Sequence, residues 1–183
     1  MKRVATKCCL ALAVGSLMLT GCGTNQGPAA QETVIMHPSY PKAFQTLGEL
    51  KKDATAVMVG TVQDVTPGDS QGEIPFTNVT LKVSTWIKGQ DPGSDQIVVQ
   101  QTGGAKDNKV FEIEDDPLMV KGAKELVFLQ QGTDGKYFTI GGPAGRIKIK
   151  GDLPEKLKGS PVTEKLPATE ASLVARVRAL NIP

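Results

Sequence analysis

The sequence predicts a mainly β chain: a small barrel of five to seven strands, with a flanking N-terminal helix and a short C-terminal helix. Three observations carry that reading. Residues 76–88 alternate, with Val79, Leu81, Val83, Thr85 and Ile87 on one face and Thr80, Lys82, Ser84, Trp86 and Lys88 on the other. That is the period of a half-buried antiparallel strand. Leu126, Val127, Phe128 and Leu129 form an unbroken apolar run, as an interior strand does. Other short strand-like segments are separated by Gly, Pro and Asp turn signals, a pattern of barrels and, as the runner-up, of sandwiches.

The first element is a leader, residues 1–21. Lys2, Arg3 and Lys7 make a positive start, Cys8 to Leu19 is apolar, and Leu19-Thr20-Gly21-Cys22 closes it. The apolar stretch has signal-peptide length and is short for a membrane span. Charge, apolar run and small-residue site occur in the order of bacterial lipoprotein signal peptides, which this segment resembles. The resemblance implies cleavage between Gly21 and Cys22 and a diacylglycerol on the Cys22 sulfur, with palmitate-type acyl chains. A thiolate is the best side-chain nucleophile near neutral pH, which is why that chemistry needs cysteine. Two acyl chains make a stable anchor where one gives marginal binding. The address is therefore extracytoplasmic, on the cell membrane or the outer membrane.

Composition changes once the leader is removed. The whole chain has 21 basic and 19 acidic residues. The leader holds three of the bases and no acid, which leaves 18 against 19, a net charge of −1. Nucleic-acid binding rests on clustered positive charge and is not supported. The three cysteines are Cys8, Cys9 and Cys22, so the mature domain holds together without a disulfide.

Residues 22–40 read as the lipidated cysteine and a flexible tether, small and polar over 23–34. The barrel domain is assigned to 41–150. Its helix is predicted over about 41–52, with Ser39 or Tyr40 as cap, Pro41 in the first turn, and Ala43, Phe44, Leu47, Leu50 and Ala54 as the apolar stripe. Thr55 to Val65 comes next as a strand with Gly60 as a bulge, and Pro67-Gly68-Asp69 as a turn. After the strand 76–88 come short strands at 97–101, 110–114 and 125–131. Thr133-Asp134-Gly135-Lys136 turns into 137–140, and Arg146 to Lys150 alternates with Ile147 and Ile149 inward. Residues 151–168, with Pro154, Pro161 and Pro167, read as a linker. Residues 169–183 read as an amphipathic helix capped by Thr169, its stripe made of Leu173, Val174, Val177 and Leu180.

Residues 47–65 resemble the opening of a group of secreted bacterial proteins and lipoproteins. So do Trp86-Ile87-Lys88-Gly89, Val120-Lys121-Gly122 before Leu126-Val127-Phe128-Leu129, and Gly141-Gly142-Pro143-Ala144-Gly145-Arg146. That group is similar to the oligonucleotide/oligosaccharide-binding barrel of tissue inhibitors of metalloproteinases. The resemblance covers about residues 43–150 and implies a five-stranded OB-like barrel. Function does not follow from the fold. Those inhibitors work through a disulfide-locked N-terminal cysteine, whereas here Cys22 is the lipid site and has no partner cysteine.

Candidate chemistry is sparse. His37 is the single histidine and sits in the tether, which supports neither a nucleophilic triad nor a zinc site. Glu112, Glu114, Asp115 and Asp116 form an acidic run without the order of a calcium loop, and read as a solvated loop. Gly141 to Gly145 lacks the Gly-Lys-Ser/Thr of a phosphate loop and reads as a tight turn. No cofactor or metal is expected. Trp86 has two roles open to it: packing under a helix, or an exposed stacking platform for sugar or peptide. The expectation is a membrane-anchored, non-enzymatic binding module for an envelope protein, peptide or glycan. The alternatives are an envelope hydrolase using the acidic residues, and a protease inhibitor by fold analogy.

Overall fold

The computed structural model describes residues 31–180. The leader, the lipobox with Gly21 and Cys22, and the tether as far as Ala30 lie outside the described residues.

In chain order the elements are β1 (Glu32–Met36), α1 (Leu47–Asp53), β2 (Ala56–Gln71), β3 (Ile74–Lys88), β4 (Gln96–Thr102), β5 (Gly104–Lys106), β6 (Lys109–Ile113), β7 (Lys124–Gln131) and β8 (Tyr137–Thr139). A 3₁₀ turn (Gly142–Gly145), β9 (Arg146–Lys150), β10 (Leu153–Lys156) and α2 (Glu170–Ala179) complete the chain. Strands β7, β2, β3, β4 and β8 are neighbours in that order, and β8 pairs back onto β7. The ring is closed, so this is an OB-like five-stranded barrel. Closure between β4 and β8 is the thinnest seam, a single parallel bridge from Val99 to Tyr137. β7 has two partners on one edge: β9 over Lys124–Val127 and β8 over Leu129–Gln131. β10 hairpins onto β9. A separate small sheet has the order β1-β6-β5.

Two apolar clusters divide the residues of the wall. Met58, Val62, Val79, Leu81, Ile97, Val99, Val127 and Leu129 fill the barrel. Val57, Val59, Leu126, Phe128, Ile147 and Ile149 face the other way and meet Phe44, Leu47 and Leu50 with Leu173, Val174 and Val177 of α2. β2 and β7 are thus buried on both faces, which explains their near-continuous apolarity. Helix α2 docks on its own barrel, starting at Thr169, whose hydroxyl accepts the Ser172 N–H.

The predicted helix starts later than Pro41. Thr46 is the cap, in a capping box with Glu49: Thr46 Oγ1 accepts the Glu49 N–H and the Glu49 carboxylate accepts the Thr46 N–H. Phe44, Leu47, Leu50 and Ala54 are buried as the stripe requires, while Ala43 is exposed. Pro67-Gly68-Asp69 is not the turn. β2 runs through it with a register shift between Pro67 and Ser70, and the chain reverses at Gly72, whose φ is 60°. A bulge tolerates the proline, which has no N–H to pair.

Two segments read as flexible are structured. Glu32–Met36, inside the expected tether, is β1 and pairs in parallel with β6. Residues 151–168, the expected linker, contain β10 and bury Leu157 and Val162, with Leu166 packed on the helix-side cluster. Lys156 Nζ donates to the Val162 carbonyl at 2.7 Å and ties the segment to itself. The prolines hid this: they break periodicity, but a packed irregular segment needs only spaced apolar residues and satisfied carbonyls.

Candidate functional site

β3 and the loop that joins it to β4 build one wall of the barrel, and the far end of β3 reaches both helices: Lys88 meets α1, and Trp86 accepts from Arg178 of α2 through its carbonyl. β3 follows its predicted alternation to Val83 and then departs from it. Val83 pairs with Gly60 and Thr85 with Val59, so Ser84 is an extra residue. Trp86 pairs with Met58 and Lys88 with Val57, so Ile87 is a second. Each extra residue flips the facing of the strand beyond it. Trp86 therefore packs with Val83 against the barrel cluster, and Ile87 turns to the helix side. This corrects the expectation that Trp86 lies opposite Val83. The ring is half-buried, and its Nε1–H donates to the Gly89 carbonyl at 3.0 Å.

The end of β3 is firmly anchored. Lys88 Nζ donates to the carbonyls of Lys51 and Ala54, each at 2.6 Å, and to that of Lys52 at 3.1 Å, closing the C-terminal end of α1. Burial and then the nearby Lys51 push the Lys88 ammonium below its ordinary range. Lys51 in turn donates to the Arg178 and Leu180 carbonyls at the end of α2. Gly89 takes φ 94°, and a Cβ there would meet the Thr55 carbonyl oxygen at 2.5 Å.

Beside Trp86 lies a cleft of about 330 Å³, lined by Val83, Ser84, Thr85, Trp86, Asp91, Gly93, Ser94 and Asp95. The loop that forms it is held by its own hydrogen bonds. Gly93 N–H donates to Asp91 Oδ1 at 2.9 Å, Gln96 N–H to Ser94 Oγ at 3.1 Å, and Val83 N–H to the Asp95 carbonyl at 2.8 Å. The lining offers hydroxyls, carboxylates and one aromatic ring, and no basic side chain. Carboxylates and hydroxyls accept from ligand O–H and N–H groups, and an indole face takes apolar C–H surface.

The acidic run does not act as one loop. Glu112 is exposed, Glu114 Oε2 lies 2.6 Å from His37 Nδ1, and Asp115 lies 3.6 Å from Lys158. Asp116 turns inward, against the expectation of a solvated loop, and is buried with Glu125 and Arg146. Arg146 is fully enclosed. Its Nε and Nη2 grip the two Glu125 oxygens at 2.9 Å each, and its Nη1 donates to Asp116 Oδ1 at 2.7 Å and to the Pro117 carbonyl at 2.6 Å. Burial raises the Asp116 carboxyl despite the guanidinium; burial also opposes the Arg146 charge, but Glu125 and then Asp116 together outweigh it and hold Arg146 above its ordinary range. Burial and the Asp116 charge push the nearby Tyr40 phenol up to about 12. This cluster pins the connection from β6 to β7 onto the barrel and is sealed from solvent. Three of the four acids go to different partners and Glu112 faces solvent, and no metal-holding group of three His, Cys, Asp or Glu occurs among the described residues.

The glycine turn is a packing device. Gly141 and Gly142 take φ of 63° and 53°, and their missing side chains leave room for the rings of Phe44 and Tyr40.

No protein-family model matches this chain, and no curated protein matches it either.

Proposed function

We propose that the mature chain is a lipid-anchored, extracytoplasmic, non-enzymatic binding module, held by Cys22 to the membrane and engaging an envelope glycan, peptide or protein at the Trp86 cleft. The observation that carries the reading is the cleft itself. It combines one aromatic ring with hydroxyls and carboxylates on a loop ordered before any ligand arrives. Its size lies at the lower end of small-ligand sites, and preorganised polar groups lower the cost of binding. OB-type barrels commonly bind oligosaccharides and oligonucleotides on the face of their second and third strands, here β3 and β4, whose connecting loop forms the cleft; the net charge of the mature chain favours the sugar.

Two measurements test this. Titrating residues 23–183 with soluble envelope glycan fragments and with envelope peptides should give saturable binding, weakened at least about tenfold, or 1.4 kcal/mol, by Trp86→Ala. Binding unaffected by Trp86→Ala would refute the cleft. Cys22→Ala should release the protein from the membrane fraction; full retention would refute the anchor.

A further inference from the structure

β1 is attached unlike any barrel strand. None of its five residues is buried, and none belongs to either apolar cluster. Its partner is β6, in a parallel ladder from Glu32 opposite Lys109 to Met36 opposite Ile113. Its other edge has no partner among the described residues. An exposed contact stands at each end: the ion pair of Glu32 with Lys109 at 3.3 Å, and a hydrogen bond between His37 Nδ1 and Glu114 Oε2 at 2.6 Å. Exposed ion pairs weaken as salt screens them. Residues 37–43 stay exposed, and the first buried side chain after β1 is Phe44; Tyr40, 39% exposed, is the first to touch the barrel. The Tyr40 ring lies against Gly142, and Phe44 is buried against Gly141 in the helix-side cluster.

We propose that β1 is a releasable strap. It peels from β6 as a unit, stops at Tyr40, and adds the eight residues Glu32–Ser39 to the tether between Cys22 and the barrel. At full extension eight residues span about 26–29 Å. The strap therefore sets two heights of the Trp86 cleft above the bilayer, a docked one and a released one. This spacer role rests on the lipid anchor at Cys22; the release of the strap does not. Segments with few buried contacts open at far lower cost than core strands.

Hydrogen exchange on the full chain tests the strap. Amides of β1 should exchange at least about 100-fold faster than those of β2 and β7, and faster still when salt is raised from about 20 to 500 mM, beyond screening range. Protection of β1 equal to that of β2 and β7 would overturn the proposal. The spacer role is tested with Thr33→Cys plus Val110→Cys, opposite one another in the ladder. On vesicles carrying the lipidated chain, energy transfer from a barrel dye to a lipid acceptor should fall when the disulfide is reduced. Transfer unchanged by reduction would overturn the spacer. A chain that fails to stay on the vesicles would overturn the anchor and the spacer together, while exchange still decides the strap.

Discussion

β7 and β3 flank β2 in the same barrel wall, and they are buried in opposite ways. From Glu125 to Leu129 every residue of β7 is buried, because the barrel fills one face and the two helices cover the other. β3 buries its inner residues only as far as Leu81; from Lys82 onward its residues are exposed or half-buried. The helix-covered wall carries the molecule's main stabilising contacts. β3 meets the helices only at its far end, through Ile87, Lys88 and the Trp86 carbonyl, and there it carries two bulges and leads into an ordered polar loop. The difference teaches where binding chemistry can be placed in a domain this small: on the wall that stability can spare.

The largest effects belong on the covered wall. Phe128→Ala removes a fully buried ring shared with both helices and should cost about 3–5 kcal/mol. Arg146→Met strands Glu125 and Asp116 without their cation and should cost a similar 3–5 kcal/mol or so. Urea unfolding measures both; a loss under about 1 kcal/mol for Phe128→Ala would show that the helix layer is not what holds the barrel, and one under about 1 kcal/mol for Arg146→Met that the buried ion cluster does not.

Gly89→Ala comes next. It sits where β3 passes under the end of α1, with φ 94° and the Thr55 carbonyl in the way of a Cβ. A cost of about 1–3 kcal/mol is expected. A neutral substitution would mean that this end of β3 is free to shift, and that the Lys88 cap does not fix it.

Asp116 gives a pH signature to the buried cluster. Its folded carboxyl holds its proton to higher pH than the ordinary value of 3.8. As pH rises past that value the unfolded chain ionises first, so this residue's contribution to stability falls until the folded carboxyl ionises too. The stability of the wild type minus that of Asp116→Asn should therefore decrease as pH rises from about 4 and then level off. A difference that grows with pH would contradict the sign.

The smallest stability effect is expected at the cleft, where Thr85 stands half-buried between the loop and α2. Thr85→Ala should change unfolding by no more than about 0.5 kcal/mol while weakening ligand binding measurably. A large loss of stability there would erase the contrast between the two walls.

How much of the fold and of the cleft is legible in the sequence depends on where each signal lives. The barrel strands are readable because alternation and apolar runs are local: β7 and the first half of β3 match their sequence reading. Trp86 is misplaced by its sequence pattern because Ser84 and Ile87 look like ordinary strand residues, and only pairing with β2 reveals them as extra. The Arg146 cluster joins partners 21 and 30 positions away, so no window of sequence can show it. Asp116 looks like its acidic neighbours for the same reason. β1 escapes a sequence reading because a five-residue exposed strand, paired with a segment 77 positions later, has no amphipathic pattern to display.

The most direct test of the division between walls uses a photo-crosslinking residue placed in living cells at Ser94, on the cleft loop, and separately at Lys148, on β9. The account predicts a discrete adduct with an envelope component from Ser94, lost in the Trp86→Ala background, and none from Lys148. Equal capture at both positions, or a Ser94 adduct that survives Trp86→Ala, would contradict it.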